Sequence, residues 1–296
     1  TCAWDIKDVF LSLAKDRNAS PQILELGRLI YEFDQQIPII RKGLRKSASA
    51  VPFAPPKLYI QSLGRMQVRL NDRVLTNANW KTTIARDLFF LLLAHPEGMK
   101  KEQIALYFWP DASPSEIKFR IKNTIYRMRH AVSKEAVLLQ EEYYVFNHTL
   151  DYHYDLENFQ KEIALARKTD DPERMIAHLE KAAGHYQGPF LPEIEDSWII
   201  SAREHLHQNY LEILMKLAEH FLAKKDFSKS IQNCQLAINA DPCFESAYRM
   251  SMRIHAAQGN RAGVVRQFEK CKNMLMQEIE VDPSPQTYEL FRTLTR

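Results

Sequence analysis

Residues 115–132, SEIKFRIKNTIYRMRHAV, concentrate side chains that bind phosphates and read base edges. The segment holds six basic side chains and no acid after Glu116. Lysine and arginine neutralise phosphates and release counterions, arginine also pairs with guanine through two hydrogen bonds, and asparagine pairs in the same way with adenine. These residue types therefore favour contact with a nucleic-acid duplex. The alternative is that the charged face is simply solvated.

The same segment has the apolar spacing of a helix. Its apolar residues recur at intervals of three or four, so they fall on one stripe: Ile117, Ile121, Ile125, Met128 and Val132. Ser113-Pro114 and the nearby Glu116 form a capping arrangement at its start. We predict that the opposite arc exposes the following residues: Lys118, Phe119, Lys122, Asn123, Tyr126, Arg127 and His130.

Strands and helices are predicted on both sides of this segment. KLYIQSLGRMQVRLNDRVLT alternates apolar and polar residues around a tight turn at Asn71-Asp72, which predicts a small antiparallel sheet of three or four strands. KTTIARDLFFLLLAHP and KKEQIALYFWP predict two helices that stop at Pro96 and Pro110. AVLLQEEYYVFNHT, after the basic helix, predicts a β-hairpin around Glu141-Glu142.

This order is that of a winged helix with an additional N-terminal sheet. In such a domain the second and third helices form a helix-turn-helix, the third lies in the major groove and the hairpin is the wing. The apolar stripe is predicted to pack on a core that includes Leu88, Phe89, Leu92, Ile104 and Phe108. Lys100 and Lys101 open the second helix near the expected path of a phosphate, or they form a solvated turn.

From Asp155 onward the sequence predicts only helices. Leu214, Leu217, Ala218 and Phe221 on one helix are followed by Ser230, Cys234, Ala237 and Pro242 on the next, which is the tetratricopeptide (TPR) spacing. Small residues are needed where two helices cross closely. A weaker helix pair precedes this one and a further pair follows it. Residues 155–290 are therefore predicted to form about three helical hairpins that stack as a solenoid.

The first 57 residues differ from the rest. Residues 1–46 have helix-period apolar residues and a start signal at Ser20-Pro21, and residues 47–57, SASAVPFAPPK, have the composition of a linker. The predicted organisation is a helical segment 1–46, a linker 47–57, a winged helix 58–150 and a TPR-like domain 151–296. We expect the chain to be the C-terminal part of a longer regulator, because it lacks an initiator Met and begins with helical residues.

Composition and charge narrow the function. Residues 57–150 hold 14 lysines and arginines against 9 acids, whereas residues 151–296 hold 18 against 22, so the two parts are expected to have different partners. No apolar run is long enough to span a bilayer. The few scattered cysteines, without a CxxC pair, favour a reducing, cytoplasmic compartment and argue against zinc. Common catalytic motifs and nucleotide-binding glycine patterns are absent from the sequence, so we expect neither an enzyme nor a cofactor.

Several segments resemble a known family of regulators. FRIKNTIYRMRHAV resembles the recognition helix of OmpR-type winged helices, especially those of the Streptomyces antibiotic regulatory proteins, with Met128-Arg129 at the position of its closing pair. HYQGPFLPEIEDSWIISARE and EVDPSPQTYELF resemble the bacterial transcriptional activation domain of that family. The residues at its recurring positions are Gly188, Leu191, Trp198, Arg203, Asp241, Pro242, Glu245, Gly259, Pro283, Ser284, Pro285 and Thr287. The likeness covers about residues 57–292, and the 56 residues in front depart from the usual stand-alone member.

This resemblance implies a transcriptional regulator that binds direct repeats in double-stranded DNA, as a possible dimer, and recruits RNA polymerase. The implied DNA contacts are Lys118, Lys122, Asn123, Tyr126, Arg127 and Arg129, and the second helix adds Lys100 and Lys101. A polymerase or small-molecule effector site on the solenoid is expected to include Trp198, Arg203 and Tyr210, unless these residues pack between the hairpins. The alternative function is a TPR-type interaction scaffold whose winged helix does not bind DNA.

Overall fold

The computed structural model describes residues 58–296 and four helical positions before them, Pro21, Glu25, Arg28 and Leu29. The remainder of the predicted N-terminal helix and linker lies outside the described residues. The chain divides into two compact units. The first contains residues up to Ile60 together with Gln67–His153, and the second contains Gln61–Met66 together with Tyr154–Arg296. Residues 61–66, which the sequence analysis assigned to the winged helix, thus belong to the second unit.

The first unit begins with a four-stranded sheet. Its strands are β1 (Leu58–Gln61), β2 (Gln67–Leu70), β3 (Arg73–Val74) and β7 (Tyr152–Tyr154), in the order β3-β2-β1-β7. β2 and β3 run antiparallel across the predicted turn, in which Asn71 has a φ of 54°. Asparagine adopts this left-handed conformation more readily than most residues, which explains its place in the turn.

Helices and a second sheet complete the first unit. The helices are α1 (Asn77–Trp80), α2 (Thr83–Ala94), α3 (Lys101–Phe108) and α4 (Pro114–Ala131). The second sheet has the order β4-β6-β5, with β4 (Met99–Lys100), β5 (Val137–Gln140) and β6 (Tyr143–Phe146). The three longer helices and the hairpin at Glu141-Glu142 confirm the predicted winged-helix order. The sequence analysis missed α1 and β4, which are too short to show a period.

An aromatic cluster forms the core on which α4 packs. Phe89 lies at its centre, with ring centroids 5.4 Å from Trp80, 5.5 Å from Phe90 and 5.6 Å from Phe146. Four of the five predicted core residues are fully buried: Leu88, Phe89, Leu92 and Ile104. The fifth, Phe108, is only half-buried. α4 contacts α1, α2, α3 and β5, so it is held by more of the unit than the two helices predicted.

The second unit consists of three helical hairpins and a terminal helix, as predicted. The helices are α5 (Asp155–Lys168), α6 (Pro172–His185), α7 (Ser197–Ala223), α8 (Phe227–Ala240), α9 (Glu245–Ala257), α10 (Arg261–Ile279) and α11 (Pro285–Thr295). The small face predicted on α8 is fully buried at Ser230, Cys234 and Ala237. The Ser230 hydroxyl donates a 2.6 Å hydrogen bond to the Ala218 carbonyl of α7. Small side chains therefore permit this close crossing.

A buried carboxylate binds residues 61–66 to the helices of the second unit. Asp155 accepts hydrogen bonds from the Ser62 amide at 2.9 Å, the Ser62 hydroxyl at 3.0 Å and the Leu63 amide at 2.9 Å. Burial raises the pKa of this carboxyl, and the hydrogen bonds from Leu63 and Ser62 oppose that rise. Gly64, with a φ of 91°, lies against Gly188, where a Cβ on either residue would meet the backbone of the other segment within 2.9 Å. Larger residues would separate the two segments.

A second carboxylate anchors the terminal helix. Glu245 accepts hydrogen bonds from the Ser284 amide at 3.0 Å, the Ser284 hydroxyl at 2.8 Å and the Thr287 hydroxyl at 2.5 Å. Thr287 is fully buried, and Arg249 lies 3.8 Å from the same carboxylate. Burial favours the neutral acid. The hydrogen bonds from Thr287 and Ser284 outweigh it and lower the pKa of Glu245 from its ordinary value.

Asp155→Ala is expected to destabilise the second unit by about 2–4 kcal/mol, because the buried amides of Ser62 and Leu63 lose their acceptor. Urea unfolding followed by circular dichroism measures this loss. Asp170→Ala, an exposed aspartate in the same unit, is the control and should change stability by less than about 0.5 kcal/mol. An equal effect of the two substitutions would contradict the role given to Asp155.

The anchoring role of Glu245 predicts a pH dependence. Because its pKa is lowered in the folded state, its carboxylate stabilises that state fully above the unfolded pKa, and the contribution is lost as the pH falls through the folded pKa. Glu245→Gln should therefore be less stable than wild type by about 1–2 kcal/mol near neutral pH. This difference in the free energy of unfolding should shrink below pH 4.5. A difference that stayed constant into acid would show that the charge is not involved.

Candidate nucleic-acid interface

A capping box fixes the start of α4. The Ser113 amide and hydroxyl donate to the Glu116 carboxylate at 2.9 and 2.7 Å, and the Glu116 amide donates back to the Ser113 hydroxyl at 3.5 Å. These bonds lower the pKa of Glu116, and Pro114 occupies the first turn. The capping arrangement predicted from the sequence is therefore present, and it sets where the helix begins.

The buried face of α4 follows the predicted stripe. Ile121, Ile125 and Met128 are at most 4% exposed, and Val132, the residue that caps the helix, is also buried. Ile117 at the N-terminal end is only half-buried. Thr124 lies within the buried face, where its hydroxyl donates to the Arg120 carbonyl at 2.8 Å. The apolar contacts leave the other side of the helix outside the core.

The outer face of α4 carries cations without protein partners. Lys118 and Lys122 are exposed and Arg127 is half-buried. Within the part of the chain that the structure describes, none of these three forms an ion pair or a side-chain hydrogen bond. Arg120 is different, because it lies 3.6 Å from the Glu116 carboxylate. Three cationic groups on this face are thus free to meet phosphates or base edges.

Arg129, predicted as a DNA contact, binds the wing. Its Nε and Nη2 donate to the Val137 carbonyl at 3.1 and 2.7 Å. The guanidinium is therefore used to hold β5 against α4. The sequence alone gave no sign of this, because an arginine on a helix has the same appearance whether it meets a carbonyl or a phosphate. We omit Arg129 from the proposed DNA contacts.

The two lysines at the start of α3 differ in their surroundings. The Lys100 ammonium lies 3.3 Å from the Glu142 carboxylate at the wing tip and 5.2 Å from the ring centre of Tyr143. The hydrogen bond to Glu142 raises the pKa of Lys100. Lys101 lies 3.6 Å from its neighbour Glu102. The four charged side chains in these two pairs are solvent-exposed, so the pairs are weak and readily exchanged for a phosphate.

Arg203 and Tyr210, both predicted to bind a partner, have contacts within the second unit. Arg203 on α7 donates to the carbonyls of Phe190, Leu191 and Ile194 at 2.8, 2.6 and 2.8 Å. Tyr210 is buried and stacks on Tyr186 at 4.1 Å. These contacts agree with the alternative prediction of packing. Trp198, in the first turn of α7, is half-buried.

A groove that the sequence analysis did not predict lies among α5, α6 and α7. It has a volume of about 210 Å³, and its apolar wall includes Ile163, Leu179 and Ile213. Arg167 and Lys216 contribute positive charge to its lining, and Glu212 contributes negative charge. None of the three predicted partner-binding residues lines this groove. Its residues come from three helices, and no local sequence pattern would have brought them together.

Among the residues described, no group of three or more histidines, cysteines or acids is arranged to hold a metal ion. The helices described include none with the length and apolar character required to cross a bilayer.

Comparison with known proteins agrees with the architecture. Residues 154–295 match the family model of the bacterial transcriptional activator domain. The chain shares its fold with Mycobacterium tuberculosis EmbR, solved in complex with a low-affinity phosphopeptide, at a TM-score of 0.62 and 16% identity. The alignment covers 80% of this chain and 65% of the EmbR chain. This chain therefore spans less than two thirds of the length of EmbR in that structure. A search of curated proteins found no match. The domain match agrees with the activation domain predicted from the sequence, and the structural match shows a shared fold.

Arg203→Ala is expected to destabilise the second unit by about 2–4 kcal/mol, because three carbonyls lose a charged donor. Urea unfolding measures the loss, and Arg253→Ala, an exposed arginine on α9, is the matched control. A variant of Arg203 with unchanged stability and weakened partner binding would restore the predicted docking role.

Proposed function

We propose that this chain, which carries a bacterial transcriptional activator domain, is a sequence-specific DNA-binding regulator that reads the major groove with α4. The observation that carries this proposal is the outer face of α4, where Lys118, Lys122 and Arg127 have no protein partner among the described residues. The matched domain and the EmbR-like fold support a role in transcription.

The dimensions of α4 suit a major groove. A helix with its side chains is about 10–12 Å across, and the major groove of B-form DNA is about 12 Å wide. The helix has 18 residues, and its outer face combines cations with Asn123. The lysines and Arg127 would neutralise phosphates, and Asn123 would pair with adenine. Lys100 and Lys101 would contact the phosphate backbone at the start of α3.

The wing has a different role in this proposal. Glu141 and Glu142 form its tip, and both are exposed. Carboxylates are repelled by the negative potential of the minor groove, so the wing tip would stay outside it. Arg129 instead fixes the position of β5 relative to α4. The wing thus supports the reading helix, and base recognition is left to α4.

The second unit would supply the activating contact. The description of its family supports an activator, and we propose RNA polymerase as its protein partner. Arg203 and Tyr210 are engaged within the unit, so the docking surface is elsewhere on it. A small-molecule effector would bind in the groove whose lining includes Arg167 and Lys216. Binding to direct repeats as a dimer remains part of the proposal.

Selection of bound duplexes from a random pool tests the central claim. A DNA-binding regulator should enrich one half-site, and a repeated one if two copies bind in tandem. Affinity for the selected duplex should fall steeply with salt, because each phosphate contact releases counterions. A TPR-type scaffold whose winged helix does not bind DNA would enrich no sequence, and that result would reject the proposal.

Arg127→Ala should weaken binding to the selected duplex by about 1–3 kcal/mol, because it removes an unpaired cation from the reading face. Fluorescence anisotropy at several salt concentrations measures this change and shows whether the arginine meets a phosphate or a base. A phosphate contact lowers the salt slope by about one, whereas a base contact relaxes specificity at one position. Arg253→Ala on the second unit should leave affinity unchanged, and the same loss in both variants would point to net charge alone.

A further inference from the structure

Two large aromatic side chains lie on the exposed face of α4. Phe119 is 67% exposed and Tyr126 is 68% exposed. They are seven residues apart, which is about two helical turns, so they share one face. This face is opposite Ile121, Ile125 and Met128, the residues that hold the helix on the core.

The fold itself does not require these two rings. Burial of a phenyl ring stabilises a protein, but an exposed ring contributes little of that energy. Tyr126 has a distant ring contact with His130, at 6.2 Å between centroids, and His130 is itself exposed on the same face. Within the described residues, Phe119 has no ring contact. Single exposed apolar side chains are common on protein surfaces, but these two rings are aligned on the face that carries the proposed DNA contacts.

We infer that Phe119 and Tyr126 contact the C5 methyl groups of two thymines in one half-site, and this inference rests on the proposed function. Among the base edges in the major groove, thymine alone presents a methyl group, whereas the other groups there are hydrogen-bond donors and acceptors. An aromatic side chain gains energy at this methyl and loses it at a polar edge. The pair therefore selects thymine over the other bases.

The spacing of the rings sets the spacing of the thymines. Seven residues span about 10 Å along a helix, and successive base pairs are about 3.4 Å apart. A helix that lies along the groove thus places the two rings about three base pairs from each other. Asn123 lies between them in the sequence and on the same side of α4. Its amide is suited to pair with an adenine between the two thymine contacts.

Deoxyuridine substitution tests this inference directly. Each thymine of the selected duplex is replaced in turn by deoxyuridine, which keeps the base pair and its O4 acceptor and removes only the methyl group. Two positions about three base pairs apart should each lose affinity about three- to fivefold, the effect of burying one methyl group. The other thymines should show no change.

The variants assign each position to a residue. Phe119→Ala should abolish the deoxyuridine effect at one position, and Tyr126→Ala should abolish it at the other. When a ring and a methyl group are in direct contact, the effects of removing each of them are not additive. Tyr126→Phe keeps the ring and should keep the effect, so it is the matched control. Because both side chains are exposed, thermal unfolding of all three variants should match that of the wild type.

The outcomes separate this inference from the proposed function. If no duplex is enriched, the proposed function fails and takes this inference with it. If a duplex is bound with a normal salt dependence but no deoxyuridine position matters, only the thymine contacts are rejected. Light scattering gives a third outcome: if Phe119→Ala and Tyr126→Ala convert a dimer of the free protein into monomers without changing DNA recognition, the pair mediates self-association and the inference is wrong.

Discussion

The packing of Ile121, Ile125 and Met128 onto the aromatic core around Phe89 determines what the rest of α4 can do. Burial of each such side chain contributes about 1.5–3 kcal/mol, so together they fix the rotation of the helix about its axis. If the apolar positions were shifted by one residue along the sequence, the helix would turn by about 100° and its lysines would move towards the core. The cationic face is therefore directed outward by the apolar face. Its orientation exists before any partner binds.

Asp155 has a comparable role in the second unit. It is the first residue after β7, and its main partner Ser62 is the first residue after β1, the neighbour of β7 in the sheet. The strand order thus delivers two distant parts of the sequence to one point, where the carboxylate satisfies the amides of Ser62 and Leu63. The close approach of Gly64 and Gly188 requires glycine at both positions. A segment of six residues becomes part of the helical unit through these contacts.

The sequence predicted those features that depend on local periodicity. The spacing of Ile121, Ile125 and Met128 revealed the helix and its buried side, and Ser230, Cys234 and Ala237 revealed a close helix crossing. The sequence did not predict contacts between residues that are distant along the chain, nor contacts in which a side chain has an unexpected partner. The partner of Asp155 is 93 residues away, and no period records such a pair. A charged residue on a helix also does not reveal its partner, as the carbonyl contacts of Arg129 and Arg203 show.

The charges of the two units are used in different ways. In the second unit, the carboxyl groups of Asp155 and Glu245 lie against backbone amides and hydroxyls, so both are engaged within the fold. The net acidity of that part of the sequence is therefore a poor guide to its partners. In the first unit, Lys118, Lys122 and Arg127 have no such contacts among the residues that the structure describes. A cation without an internal partner is better evidence for an external anion than the net charge of the unit. Net charge gives only the sign of the partner's charge, whereas such a cation also shows which face of the protein meets the partner. Among the described residues, α4 is therefore the best candidate for the proposed DNA contact.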